Sequence, residues 1–397
     1  MTSDCTPLSP VRVGVAGLGR AFVLSRAAFA EDPLVQLVAA AEPREVSRQA
    51  FVQEFAGKAY ETVDELCADP AVELVYISTP HEFHFEHVCK AAAAGKHVLV
   101  EKPLAISLAD GIRMTEACSA AGVYLIVGPS HSFDTPVQMA RTIIKNSEFG
   151  RVRLINALNF TDFLYRPRRP EELDTARGGG VVFSQGVHQI DMVRLLAGGL
   201  VRQVSAYTGN WDPERPTEGA YTAQLAFDDC VAAITYSGYG FFDSDDWMDG
   251  FGELGTVKNM QAYGNARRAL KAHGTANEMD LKAARTYGLP DKPSNPKTYE
   301  HFGPVIVSLD KADLRLTPTG VHVYAEDWRE FRPTPPFRFS RSEMTAAVYS
   351  AVRLQKPPVQ SGRWGLASLE VCHAILKSAA ESAPVKLKHQ VGVNDYV

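Results

Sequence analysis

The stretch Val11-Arg12-Val13-Gly14-Val15-Ala16-Gly17-Leu18-Gly19-Arg20 runs from an apolar, strand-like segment through closely spaced glycines into a helical pattern. In a strand-to-helix turn of this kind, glycines let the backbone approach a pyrophosphate, which then rests on the helix N-terminus. The match to GxGxxG is imperfect, because Phe22 stands where the glycine after Gly17 and Gly19 would fall. A tight turn with no ligand would read the same way. Context separates the two readings. The next apolar run, Val35–Ala41, ends on Glu42, 23 residues beyond Gly19, where a carboxylate accepts from a ribose 2′-hydroxyl. A carboxylate there repels a 2′-phosphate, so NAD is expected rather than NADP. Arg44, two residues on, softens that preference.

Outward from this turn, apolar runs recur at Val72–Ser78, His97–Val100 and Val123–Val127. Between the runs lie helically spaced segments: Arg20–Ala30, Arg44–Ala56, Glu82–Ala94 and Ser107–Ala121. Gly95 and Gly122 stop two of them just before the next strand. Strands separated by helices need crossovers, which make a parallel sheet covered on both faces. Residues 1–130 are therefore expected to form a doubly wound Rossmann domain.

The pattern then changes. A helix over Pro136–Ser147 precedes a long strand from Arg151 to about Asp162, and a second helix covers Val187–Ala197. Strand-like runs follow at Val201–Thr208, Tyr221–Phe227, Val231–Tyr239, Val305–Leu309 and Gly320–Tyr324. Strands without intervening helices argue for an antiparallel sheet. Residues 131–397 are expected to form an α+β domain for substrate binding and oligomerisation. Within it, Phe241–Phe302 reads as an excursion over the active-site side, with a helical patch near Asn277–Ala284. Arg341–Leu354 and Gly365–Ser382 read as terminal helices.

Composition narrows the class. The chain has 397 residues, 45% hydrophobic and 22% charged, which is the globular range and argues against disorder, collagen or coiled coil. Its 41 Lys and Arg against 46 Asp and Glu leave a net charge of −5 with no long basic run, so nucleic acid is not an expected partner. Six cysteines without a CxxC pair read as thiols in a reducing compartment. Met1–Pro10 has no apolar core of a signal peptide, and no run reaches the roughly 18 apolar residues that span a bilayer. A soluble cytoplasmic protein is expected.

Two segments sit where strands end and ligands bind in open parallel sheets: Ser78-Thr79-Pro80-His81-Glu82-Phe83-His84 and Glu101-Lys102-Pro103. A partly desolvated lysine beside a cationic nicotinamide has a lowered pKa and can take a proton from an alcohol. A surface lysine in a turn set by Pro103 is the competing reading. His81, His84 and His87 recur every three residues, but no further ligand completes a zinc site, so no metal is expected.

These motifs together resemble the Gfo/Idh/MocA family of oxidoreductases. The resemblance rests on the glycine loop, on Thr79-Pro80 with His84, on Gly95-Lys96-His97-Val98 leading into Glu101-Lys102-Pro103, and on Gly178-Gly179-Gly180 followed by His188 and Asp191. It extends over nearly the whole chain, through Gly150-Arg151-Val152 to the closing helical region. It implies an NAD-dependent dehydrogenase with Lys102 as general base and His188 as its partner. Ser184 stands where the family often carries an Asp, four residues before the histidine. Cofactor contacts are expected from Gly17, Leu18, Gly19, Arg20, Glu42, Thr79, Pro80, His84, Glu101 and Lys102. His131, Ser184, Gln185 and His188 are expected at the substrate.

One segment points further. Phe163-Leu164-Tyr165-Arg166-Pro167-Arg168-Arg169-Pro170-Glu171-Glu172-Leu173 precedes Arg177 and the triple glycine. Guanidinium groups bind carboxylates bidentately, so Arg166, Arg168, Arg169 and Arg177 suggest an anionic substrate. A solvated loop paired with Glu171 and Glu172 is the plainer reading. With Ser184–Gln189 and His301–Val307, the segment is similar to the phthalate cis-dihydrodiol dehydrogenase branch of the family. That similarity implies oxidation of phthalate cis-4,5-dihydrodiol to 4,5-dihydroxyphthalate. A sugar or inositol oxidoreductase, and a non-catalytic NAD-sensing regulator, are the alternatives. Members of the family commonly pair through the second domain, so a homodimer or homotetramer is expected.

Overall fold

The apolar runs of the first third pair in parallel, as strands joined by crossover helices must. In the computed structural model, which describes residues 9–262, 264–289 and 295–393, six strands form this sheet. They are β1 (Val11–Ala16), β2 (Val35–Ala41), β3 (Lys58–Tyr60), β4 (Leu74–Ile77), β5 (His97–Val100) and β6 (Leu125–Val127), in the spatial order β3-β2-β1-β4-β5-β6. Every pair is parallel. Cys5 and most of the polar N-terminal stretch lie outside the described residues, as do residues 263 and 290–294 of the excursion.

Both faces of the sheet are covered. On one, Val11, Val13 and Val15 pack with Phe22, Phe29, Met344 and Val348. Met344 and Val348 belong to the helix Ser342–Leu354, so the chain returns from its far end to complete the Rossmann core. A division of the chain at residue 130 is crossed by that helix.

The second sheet has nine strands: β7 (Val152–Phe160), β8 (Gln203–Gly209), β9 (Ala220–Ala226), β10 (Val231–Ser237), β11 (Val305–Leu309), β12 (Ala312–Thr317), β13 (Gly320–Ala325), β14 (Arg329–Pro333) and β15 (Val385–Lys386). Their order is β14-β13-β12-β11-β7-β10-β9-β8-β15. Neighbours are antiparallel except β7 and β10, which run parallel. The fold is thus a Rossmann sheet joined to a large, mostly antiparallel one. Helices Thr135–Lys145, Val187–Ala197 and Gly362–Glu381 cover one face of the second sheet. The opposite face leaves Tyr207, Ile306, Tyr324 and Phe331 exposed. Among the described residues, no helix is long and apolar enough to cross a membrane.

The excursion folds back onto the first domain. Tyr287 donates its N–H to the Leu18 carbonyl at 3.1 Å, and its carbonyl accepts from the Ser47 hydroxyl at 2.7 Å. This brings Glu253, Lys282 and Glu300 over the carboxyl ends of the parallel strands, where they line a cavity.

Candidate active site

Two adjoining hollows open above the parallel strands. The wider, about 790 Å³, is lined by Gly17, Gly19, Arg20, Glu42, Thr79 and Pro80. Gly17 has φ +88°, and a Cβ there would lie 3.0 Å from Thr79 Cγ2 and 3.2 Å from the Ser78 carbonyl oxygen. The helix Arg20–Glu31 starts at Gly19 with no side-chain cap and no acid in its first turn. A helix N-terminus favours an anion, and the glycine turn leaves room for one. The cleft fits a dinucleotide, with the pyrophosphate at this helix end.

Several expected cofactor contacts have other partners. The Glu42 carboxylate accepts the Leu18 N–H at 2.8 Å, and Arg44 donates to both of its oxygens. It thus holds the glycine loop and Arg44 in place at the wall of the cleft. Leu18, with its N–H spent on Glu42 and a fully buried side chain, is likewise structural. His84 is fully buried; Nδ1 lies 3.0 Å from the Pro103 carbonyl and Nε2 3.1 Å from that of Thr79. It ties the two strand-end loops together and does not line the cleft. Burial pushes its pKa down to about 4. Glu101 receives the Tyr76 hydroxyl at 2.7 Å and faces the second hollow.

That second hollow, about 320 Å³, is sized for a single small ring. Lys102 lines it and donates to the Ser184 main-chain carbonyl at 3.1 Å. Ser184 sits in a π-helical turn, Val182–Gly186, that leads into the helix Val187–Ala197 carrying His188. Such turns interrupt a helix's own ladder and often occur at functional sites. Burial pulls the Lys102 ammonium below its usual range, with Glu101 and Glu253 opposing. His188 is held neutral by burial and by the nearby Lys102 charge, and its Nδ1 lies 3.4 Å from the Ser130 hydroxyl. Gln185 lines the same hollow, whereas Ser184 borders the dinucleotide cleft.

His131 lies beside His188, ring centroids 4.8 Å apart, and Phe302 packs on both at 5.0 and 5.2 Å. Its Nδ1 is 2.6 Å from Asp134 Oδ2. Burial lowers the His131 pKa, while burial and Glu343 raise that of Asp134.

The arginines divide. Arg166 and Arg168 line the substrate-sized hollow; Arg166 pairs with Asp162 at 3.1 Å and Arg168 with Glu172 at 3.4 Å. Burial brings Arg168 down to about 10. Arg169 and Arg177 do not join them. Arg169 pairs with Glu171 at 3.1 Å and borders the dinucleotide cleft, and Arg177 is exposed on that same side. The 3₁₀ turns after Arg169 and around Arg177 rotate them away. A cation not anticipated, Arg341, takes their place, donating to Ser25 at 2.8 Å and pairing with Glu300 at 3.2 Å. Nothing local in Phe339-Ser340-Arg341-Ser342 marks it, since only the returning helix brings it here.

The three histidines of the Thr79-Pro80 segment do not form a metal site: both nitrogens of His84 face carbonyls, and His87 Nδ1 meets the Thr79 hydroxyl at 3.0 Å. His131, Asp134 and Glu300 bring ligand-type atoms within 4.8 Å, but Asp134 and Arg341 already satisfy them.

A glycine turn feeding a helix, beside a half-buried lysine and histidine, defines a nicotinamide-dependent oxidoreductase. Residues 11–129 match the model of the oxidoreductase family with an NAD-binding Rossmann fold, and residues 137–258 match the GFO/IDH/MocA C-terminal domain. The chain is 42% identical over 374 residues to a 1-carboxy-3-chloro-3,4-dihydroxycyclohexa-1,5-diene dehydrogenase of Comamonas testosteroni, covering 92% of this chain and 94% of that one. The crystal structure of a Bordetella bronchiseptica RB50 protein described as a dehydrogenase superposes with TM-score 0.91 at 39% identity, covering 95% and 100% of the two chains. A levoglucosan dehydrogenase complexed with NADH and levoglucosan shares the fold, with TM-score 0.71 at 19% identity and 95% and 99% coverage. The chain belongs to the Gfo/Idh/MocA oxidoreductase family and is an NAD-dependent dehydrogenase.

Proposed function

We propose that this enzyme oxidises a carboxylated cis-dihydrodiol, phthalate cis-4,5-dihydrodiol, to the catechol 4,5-dihydroxyphthalate. The observation that carries this reading is the presence of Arg166 and Arg168 in the same small hollow as Lys102 and His188. A neutral polyol needs no guanidinium groups at its site; these two are held there by Asp162 and Glu172, and a substrate carboxylate would share them. Carboxylates on the substrate would add charged hydrogen bonds worth roughly 1.5–3 kcal/mol each. The Comamonas relative, whose name describes a carboxylated ring diol, supports the same substrate class.

NAD, when bound, supplies the hydride acceptor. Lys102, its pKa lowered by burial, takes the hydroxyl proton while the Ser184 carbonyl holds its Nζ in position. His188 hydrogen-bonds the same oxygen and shares that proton. The first product is a hydroxy-ketone, and its aromatisation makes the overall equilibrium favourable. The test is a screen for NADH formation across carboxylated dihydrodiols, uncharged dihydrodiols, inositols and sugars. Preference for an inositol or sugar would overturn the reading.

A further inference from the structure

The oxidation just described leaves unfinished chemistry, because the hydroxy-ketone must still lose a proton from carbon to become aromatic. This inference rests on the proposed dihydrodiol substrate. We propose that His131, oriented by Asp134, is the base that removes this carbon-bound proton, so that one cavity carries both the oxidation and a keto–enol isomerisation.

The geometry is that of an oriented base. Asp134 Oδ2 holds His131 Nδ1 at 2.6 Å, both residues line the hollow, and His131 is 5% exposed. Burial and Glu343 raise the Asp134 pKa, so the acting form of the dyad is reached as pH rises; in it Asp134 is ionised, Nδ1–H donates to it and Nε2 carries the lone pair. Among the described residues Nε2 makes no hydrogen bond. His188 and Phe302 pack against the ring and fix its plane. The dyad lines the same hollow as Lys102 and His188, so a ring oxidised there stays within one cavity with His131. Burial keeps His131 neutral near pH 7, the form a base requires.

The step is redox-neutral and its protons balance. His131 Nε2 takes the proton from the hydroxyl-bearing carbon. The C–H electron pair becomes the new ring double bond. The carbonyl π pair moves onto oxygen, which recovers from Lys102 the proton that the alcohol had given up. Lys102 ends neutral and His131 protonated, and one proton leaves to solvent per turnover. Asp134 is a positioning residue, since it acts only through His131.

Rapid mixing with NAD and the cis-dihydrodiols of phthalate and of benzoate, following NADH and catechol separately, tests this. In the unmodified enzyme both signals should rise together. In His131→Asn, NADH should still form in the first turnover, while catechol lags behind it and forms slower by a factor on the order of 10², toward its rate in free solution. Asp134→Asn should give the same split with a smaller lag, which a merely structural role would not produce. If His131→Asn fails to bind NADH by fluorescence, His131→Gln is read by the same two signals. Catechol keeping pace with NADH in a folded variant overturns the assignment. So does loss of NADH formation in a variant that still binds NADH. If the unmodified enzyme forms no NADH with either dihydrodiol, the substrate reading itself fails, and this inference with it.

Discussion

Lys102 Nζ donates to the main-chain carbonyl of Ser184 at 3.1 Å, a neutral acceptor in the turn that leads to His188. Because a carbonyl holds the ammonium without charging its surroundings, burial dominates and the lysine pKa falls below its usual range. A base must lose its proton before it can act, so kcat should rise with pH and level off below the ordinary lysine range. Lys102→Ala should abolish that rise and lower kcat by a factor on the order of 10² or more, with NADH binding nearly unchanged. Near-normal kcat at neutral pH would place the base elsewhere.

Cofactor choice turns on Glu42 and Arg44. The carboxylate occupies the guanidinium, and Arg44 is thereby withheld from a 2′-phosphate. NAD should be used far better than NADP. Glu42→Ala should free Arg44 and raise kcat/KM for NADP about tenfold, equivalent to about 1.4 kcal/mol. Equal efficiency with both cofactors in the unmodified enzyme would contradict this role.

Acid should loosen the strand-end loops. His84 has its folded pKa pushed down to about 4 by burial, against an ordinary 6.5. The unfolded chain binds the extra proton first, so this stability is fully present above pH 6.5 and is lost as pH falls toward 4. The loss is about 3 kcal/mol in the limit. Tm measured from pH 7.5 down to 4.5 should drop, and less steeply in His84→Gln. An identical pH slope in the variant would count against His84 as the source.

The uncovered face of the second sheet bears on assembly. Ile306 and Phe331 lie on one cross-strand row through Arg315 and His322, with Tyr324 and Tyr207 on the same side. We propose that a second copy of this chain covers it, giving a homodimer or homotetramer. Light scattering at micromolar concentration should show no monomer, and Ile306→Lys with Phe331→Lys should shift the mass downward. A monomeric unmodified chain would refute the proposal.

Much of the parallel sheet was legible because five of its strands are buried runs of Val, Ile, Leu and Ala. The sixth, Lys58–Tyr60, is three residues long at an edge and carries no such signal. In the second sheet Ala312–Thr317 escaped notice because Asp313 and Arg315 interrupt its buried Leu314 and Leu316, leaving few apolar letters in a row. Lys102 and His188 stood out because local motifs surround them. Arg341, Asp134, Glu253 and Glu300 did not, since each reaches the cavity through tertiary packing alone. The arginine run was visible, but sequence order cannot show that the turns after Arg168 send Arg169 and Arg177 to the neighbouring cleft.

The substrate claim is tested most directly by one ratio: kcat/KM for phthalate cis-4,5-dihydrodiol over that for the same ring diol without carboxylates. The unmodified enzyme should favour the charged diol by one to two orders of magnitude or more, and Arg166→Ala should remove about tenfold or more of that preference through KM, at about 1.4 kcal/mol per tenfold. NADH affinity should not change. Equal oxidation of the uncharged diol, or an Arg166→Ala enzyme with the preference intact, would contradict a carboxylated substrate.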